Sequence, residues 1–234
     1  MERAECAPAA LPDPRDALLH HQCPVLPVPR FGPFAPLAQP GQRMLLASNG
    51  LFIEVRTTAL YALQRAGQVA PGLALPYGRL QPQLELAYGR LPRTLIEAFM
   101  DAARLVAPHE LAGALVYDPL AGLLELVLHT SVLAHAQRVE YRLPPLAPQQ
   151  VVALDLHSHG HGPAFFSEGD NLDDRGMCLA MVVGDLQHAR PSVAFRLCLN
   201  GLLLPQPHPW QHAPDTGGID EWRDTGSSPT PAKE

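Results

Sequence analysis

Residues 154–170 read LDLHSHGHGPAFFSEGD, and this stretch of the chain is the most informative about its fold and its chemistry. Its first residues complete an apolar run from Gln150 to Leu156, which predicts a β-strand. Successive side chains of a strand point to opposite sides, so His157 and His159 point to one side and Ser158 to the other. The two imidazole rings can therefore reach the same metal ion.

A third ligand is available further along the same stretch. Zinc binds imidazole nitrogen and carboxylate oxygen at about 2.0 to 2.2 Å, and a catalytic site keeps one position open for water. The glycines at 160 and 162 allow the chain to turn back, and Ser167 and Asp170 have the spacing of one helical turn. A purely structural interpretation also stays open, in which Ser167 caps a helix and Asp170 completes its capping box.

The pattern His-Ser-His, seven residues, Ser, two residues, Asp resembles the signature of the JAMM (JAB/MPN) metalloproteases. The resemblance implies a Zn²⁺ ion held by His157, His159 and Asp170. The family also has a distant Glu at the start of a strand after the first helix, and Glu110 has that context here. Four other glutamates fit it less well: Glu54, Glu97, Glu125 and Glu140. This chain departs from the family in having Gly160, where many members have Pro, and an additional histidine at 161.

The resemblance implies a mechanism and a class of substrate. Water activated by zinc would attack a peptide or isopeptide carbonyl while Glu110 transfers the proton and the Ser167 hydroxyl stabilises the oxyanion. The substrate would be a ubiquitin-like protein, its conjugate, or a peptide. The Pro-rich N-terminal half and the Asp173–Gly176 segment are similar to a JAMM subfamily of the bacterial PRTRC cassette, which implies a ThiF-like adenylating enzyme as a possible partner.

Two alternatives differ in class. Asp155, His157 and His159 also fit the Asp-x-His-x-His motif of amidohydrolases and PHP-type phosphoesterases. That motif opens a barrel of about 200 to 250 residues, whereas 75 of the 234 residues follow His159. The second alternative is a catalytically idle JAMM-like scaffold or binding module of a bacterial ThiF-associated system.

The flanking sequence predicts an α/β fold. Thr94 and Glu97 have capping-box spacing at the start of an amphipathic helix that ends before Pro108. Strands are predicted over residues 111–117, 123–128, 139–143, 150–156, 177–183 and 192–199. The resemblance arranges these elements as a JAMM/MPN-like mixed β-sheet flanked by helices.

The N-terminal region is predicted to be mostly β, because nine prolines among its first forty residues oppose helix. Ser48-Asn49-Gly50 predicts a hairpin turn within residues 42–55, and residues 58–66 are predicted to form a short helix. The expected domains are a family-specific region over 1–92, a metallopeptidase core over 93–204, and a largely disordered acidic tail over 205–234.

Composition narrows the environment and the partners. The 17 basic and 23 acidic residues give a net charge of −6 without a basic cluster, so no nucleic acid is expected. No apolar run is long enough for a membrane span, and no signal peptide is expected. Four cysteines without CxxC spacing favour the reducing cytoplasm, with Cys178 and Cys198 as buried strand residues.

Overall fold

The computed structural model describes residues 13–135 and 138–207, without the side chains of 131–141. The fold class is mixed α/β, as predicted. The helices are α1 (Pro14–Gln22), α2 (Arg93–Val106) and α3 (Glu168–Asp173). The strands are β1 (Val25–Pro27), β2 (Gly41–Ala47), β3 (Gly50–Arg56), β4 (Leu60–Gly67), β5 (Gln83–Leu86), β6 (Ala112–Asp118), β7 (Leu123–Leu128), β8 (Thr130–His135), β9 (Arg138–Arg142), β10 (Val151–Ser158), β11 (Met177–Gly184), β12 (Ser192–Leu199) and β13 (Leu202–Pro205).

The chain forms two compact units. The first contains the residues up to Arg56 together with Ala62–Pro82, and the second contains Thr57–Tyr61 together with the residues from Gln83 onward. The division expected at residues 92 and 204 stays a prediction, and residues 208–234 of the expected tail lie outside the described residues. None of the described helices is long and apolar enough to cross a membrane.

The N-terminal strands β1 to β5 form a five-stranded sheet in that order. The predicted hairpin is confirmed, because β2 and β3 pair antiparallel and Ala47 faces Gly50 across the turn. The helix predicted for residues 58–66 is wrong: residues 60–66 belong to β4, whose first four residues are all buried. A short apolar run does not by itself distinguish a strand from a helix, and here pairing within a sheet decides the outcome.

The expectation that the first forty residues contain no helix is also wrong. Helix α1 begins at Pro14, and proline is tolerated at the first helical position because the N–H it lacks would have no partner there. The preceding Asp13 caps the helix, accepting a hydrogen bond of 2.9 Å from the Arg15 amide. Prolines therefore delimit this helix instead of preventing it.

The second unit contains a six-stranded sheet in the order β13-β12-β11-β10-β6-β7. Strands β10 and β11 are parallel, while β10 pairs antiparallel with β6 on its other side. The six strands predicted for this part of the chain are confirmed as β6, β7, β9, β10, β11 and β12, whereas β8 and β13 were not predicted. Strands β8 and β9 form a separate two-stranded sheet.

Helix α2 lies on one side of the six-stranded sheet. A Cβ atom on Gly113 would lie 3.3 Å from Phe99 Cε2, so Phe99 packs directly against the backbone of β6. Gly113 pairs with Leu156, and the next pair, Ala112 with His157, points to the opposite side because side chains alternate along a strand. The predicted histidine ligand therefore points away from α2.

The predicted helix α2 is confirmed, but its predicted capping box is wrong. The helix begins at Arg93, so Thr94 lies inside the first turn instead of before it, and the N-cap residue Pro92 makes no side-chain capping bond. Glu97 pairs with Arg93 at 2.7 Å, one helical turn earlier. The Glu97 carboxylate, which the sequence pattern assigned to the capping box, therefore pairs with Arg93 instead.

Candidate metal centre

Three side chains from the predicted stretch converge on the side of the sheet away from α2. His157, His159 and Asp170 each offer a ligand atom, and these atoms all lie within 4.8 Å of one another. His157 Nε2 lies 3.5 Å from Asp170 Oδ1, and the two imidazole centroids are 5.3 Å apart. Such a group of two nitrogen donors and one oxygen donor can hold a metal ion.

The end of β10 determines which way the histidines point. Ser158 lies between them and is completely buried, and its Oγ accepts a hydrogen bond of 2.9 Å from the Leu111 amide. The Ser158 amide donates to the Leu111 carbonyl at 2.8 Å, and the His159 amide donates to the Val183 carbonyl at 2.8 Å. The chain is thus tied to Leu111, just before β6, and to β11, with Ser158 on one side and the imidazoles on the other.

Each imidazole has a free Nε2 for a metal. His159 Nδ1 lies 3.0 Å from the Pro163 carbonyl oxygen, which can only accept a hydrogen bond, so Nδ1 is the donor and Nε2 is the nitrogen left to face a metal. His157 Nε2 is buried and has no hydrogen-bond partner among the described residues. Burial lowers the pKa of His157, against the opposing effect of the Asp170 carboxylate. Because an unsatisfied buried nitrogen is costly, its position beside two other ligand atoms fits a metal ion.

Ser167 and Asp170 form the capping box that the purely structural interpretation describes. Ser167 Oγ accepts from the Asp170 amide at 3.2 Å, and the Ser167 amide donates to Asp170 Oδ2 at 2.6 Å. This second bond occupies Oδ2, while Oδ1 faces His157. The capping box and a ligand role are therefore compatible, because the cap turns the other carboxylate oxygen toward the histidines.

Glu110 lies in the segment between α2 and β6, and it is exposed. Its neighbour Leu111 makes the two hydrogen bonds to Ser158, so Glu110 is adjacent in sequence to the residue that ties β6 to the end of β10. A Cβ atom on Gly160 would lie 2.9 Å from the Pro108 carbonyl carbon. The segment that carries Glu110 therefore lies against the loop that carries His159.

Two of the other glutamates considered from the sequence have charged partners elsewhere. Glu54 is completely buried in β3 of the first unit and pairs with Arg43. Glu97 pairs with Arg93 on α2. Glu125 lies in β7, and the side chain of Glu140 is outside the described residues.

Charged residues lie beside the candidate ligands, and one of them, Arg196, was missed from the sequence, whereas Asp155 and the Asp173–Gly176 segment had been noted. Burial raises the pKa of Asp155 to about 6, helped by the neighbouring Asp174 carboxylate. Arg196, in β12, is 4% exposed and pairs with Asp174 at 2.6 Å. The sequence contained a signal for Arg196, since it is the one charged residue in the strand SVAFRLCL.

Two family models match separate parts of the chain. Residues 92–198 match the model of a family described as prokaryotic homologs of the JAB domain. Residues 13–87 match a family described as a domain of unknown function, DUF2016. The second unit therefore contains a JAB-like domain, which supports the resemblance to the JAMM/MPN family.

Among solved structures, the solution structure of protein DSY2949 from Desulfitobacterium hafniense is similar at 16% identity. The match covers 49% of this chain and 86% of that chain with a TM-score of 0.31. No curated protein matches this chain.

Proposed function

We propose that the second unit is a zinc-dependent hydrolase of peptide or isopeptide bonds. The observation that carries the proposal is the convergence of His157, His159 and Asp170 within 4.8 Å, in a segment that matches JAB-domain homologs. Two imidazole nitrogens and one carboxylate oxygen are a ligand set typical of catalytic zinc. A bound zinc ion supplies a Lewis acid that lowers the pKa of a water molecule toward about 7.

The residues of the chain have separate tasks in this proposal. The Glu110 carboxylate takes a proton from the attacking water and delivers it to the nitrogen of the departing amine. Ser167 Oγ already accepts a bond from the Asp170 amide, so its own hydrogen is free to be donated to the carbonyl oxygen of the substrate. The buried Ser158 has no part in the reaction and holds the two histidines in place.

We further propose a ubiquitin-like protein or its conjugate as the substrate, and a ThiF-like adenylating enzyme as a partner. Support comes from the layout of the chain, in which a separate N-terminal region precedes a JAB-like domain. The same layout supports similarity to protein A of the PRTRC cassette. The free cysteines at 23, 178 and 198 support a reducing cytoplasmic location.

The test combines metal content with cleavage of a ubiquitin-like fusion by the full-length protein. We expect about one zinc ion per chain, and Glu110→Gln should keep the zinc but lose about 10²- to 10⁴-fold in cleavage rate, the usual contribution of a general base. Asp170→Asn should lose the metal. The control is Glu97→Gln, which removes a carboxylate on α2 that is paired with Arg93.

The idle scaffold is the competing function, and the same experiment separates the two. Zinc bound in the wild type with every fusion, conjugate and peptide left intact would establish a scaffold. Absence of stoichiometric zinc or another divalent ion would overturn the metal site itself. Equal cleavage by wild type and Glu110→Gln would remove Glu110 from the mechanism.

A further inference from the structure

The short helix α3, which carries Asp170, buries none of its own side chains against the rest of the protein. It contains six residues. So short a helix is not stable in water without external contacts. Its capping box fixes the local conformation of Ser167 and Asp170 but does not attach the helix to the sheet. The place of Asp170 relative to His157 must therefore depend on other contacts.

Arg196 supplies such contacts from β12. Its Nε and Nη2 atoms donate to Asp174 Oδ2 at 3.1 and 2.6 Å, and its Nη1 donates to Asn171 Oδ1. Its Cζ lies 3.7 Å from the centre of the Phe166 ring. Phe166 precedes the capping residue Ser167, whereas Asn171 and Asp174 follow Asp170. One guanidinium thus contacts the chain on both sides of the ligand.

The sheet register places this guanidinium on the same side as the metal ligands. Arg196 pairs with Ala180, which in turn pairs with Asp155 on β10. Asp155 and His157 point to the same side because they are two residues apart in one strand. Arg196 is also one of three buried polar residues in the described part of the chain, and its position is fixed by packing as well as by hydrogen bonds.

From this geometry we infer that Arg196 is a positioning residue. It holds α3 so that Asp170 Oδ1 and His157 Nε2 can bind the same metal ion, and it thereby sets the affinity and geometry of metal binding. The inference rests on the proposed metal site. Arg196 itself offers no lone pair to a metal and does not touch the reacting atoms. It acts through Phe166, Asn171 and Asp174.

Two substitutions at this position test the inference. Arg196→Lys keeps the positive charge but lacks the planar fork that contacts Asn171 and Asp174 together. Arg196→Gln removes the charge as well. Each full-length variant is titrated with Zn²⁺ in competition with a chelator, and separately with Co²⁺, whose visible absorption reports the coordination geometry. Both titrations are made at a temperature at which the variant is folded by circular dichroism.

We expect both variants to bind zinc about 10- to 100-fold more weakly than wild type, as is usual when residues that orient a ligand are changed. The Co²⁺ absorption should shift and weaken, because Asp170 no longer occupies one fixed place. Arg196→Lys should retain more affinity than Arg196→Gln. Asp174→Asn should weaken binding too, and should add little to Arg196→Gln because the two residues act as a unit.

The matched control is Phe99→Leu, which lowers stability from the opposite side of the same sheet. Phe99 packs on Gly113, away from the side to which His157 points. Its zinc affinity and Co²⁺ spectrum should equal those of wild type. If Arg196→Gln does not fold, Asn171→Ala provides a second test, because it removes one contact of the guanidinium from an exposed position. It should weaken zinc binding in the wild-type background and have no effect with Arg196→Lys.

The outcomes separate this inference from the proposed function. If wild type binds neither Zn²⁺ nor Co²⁺, the metal site fails and the inference fails with it. If wild type binds zinc but folded Arg196→Lys, Arg196→Gln and Asn171→Ala match its affinity and spectrum, the positioning role is overturned while the metal site stands. A loss of affinity in Phe99→Leu equal to that in Arg196→Gln would show a general effect of stability and would also overturn it.

Discussion

At the scale of single residues, Gly160 shows why this chain departs from the proline found in many JAMM proteins. Its φ of 55° lies in the left-handed region, which proline cannot adopt. Its carbonyl accepts a hydrogen bond of 3.0 Å from the Leu186 amide, while its Cα faces the backbone of Pro108. Glycine here allows the loop after His159 and the segment before Glu110 to approach closely.

Replacing this glycine should be costly for two reasons. Gly160→Ala places a methyl group in the left-handed region and against the Pro108 backbone, so we expect it to lower the free energy of unfolding by about 1 to 3 kcal/mol. Urea denaturation measures the change. Gly122→Ala is the control, because Gly122 has a φ of 63° but no atom within 4 Å of its added Cβ. Equal losses in the two variants would contradict a role for close approach.

His129 gives a prediction about acid. Burial lowers the pKa of this imidazole, and its buried Nε2 has no partner among the described residues. Below a pH of about 6.5, the ordinary histidine pKa, the unfolded chain therefore binds a proton that the folded chain resists, and stability falls with falling pH.

His129→Gln should accordingly lose less stability than wild type between pH 7.5 and pH 5.5, as measured by urea denaturation at both values. The same slope in wild type and His129→Gln would disprove the prediction.

At the scale of helices and strands, an element could be predicted from the sequence where its pattern of residues is determined locally. Helix α2 and strands β6, β7 and β10 to β12 were predictable because their apolar periods run over whole elements. Strand β4 and helix α1 were not, since the first is a short apolar run and the second lies among prolines. Pairing partners and a proline at the first helical position decided these two cases.

Some residues of the candidate site could be predicted from the sequence and others could not. The ligands His157, His159 and Asp170 lie within fourteen consecutive residues, so their spacing could be read directly. Arg196 lies 22 residues from Asp174 and 25 from Asn171, and only the pairing of β12 with β11 brings it to them. A pattern of neighbouring residues cannot contain that information.

The start of α2 gives a prediction at this scale. Pro92 occupies the N-cap position with extended backbone (φ −67°, ψ 121°) and offers no side-chain acceptor. Aspartate there can accept a hydrogen bond from the first turn, so Pro92→Asp should be about 0.5 to 2 kcal/mol more stable than Pro92→Ala. Comparing the two substitutions cancels the loss of proline rigidity, which both share. Thermal denaturation of both variants measures the difference, and equal midpoints would contradict it.

At the scale of the whole molecule, the three candidate metal ligands all belong to the second unit, within residues 157–170. A ligand that binds the folded state alone stabilises it by mass action, by about 2.7 kcal/mol when its free concentration is 100 times the dissociation constant. The proposed zinc site therefore predicts a link between metal concentration and the unfolding of this unit.

Zinc should raise the unfolding midpoint of the wild type in proportion to the logarithm of its free concentration, and a chelator should reverse the shift. Asp170→Asn should respond much less, because it lacks one of the three ligands. Differential scanning calorimetry at several zinc concentrations makes the measurement. A shift of the same size in Asp170→Asn would point to binding elsewhere on the chain.

The parallel pairing of β10 with β11 has a consequence for inheritance. Two strands that run in the same direction need a long return path between them, and here that path runs from His159 to Gly176. The architecture demands such a connection whether or not it binds anything. A descendant could replace the two imidazoles and the carboxylate with other side chains, and its backbone would still have to connect the two parallel strands over the same distance.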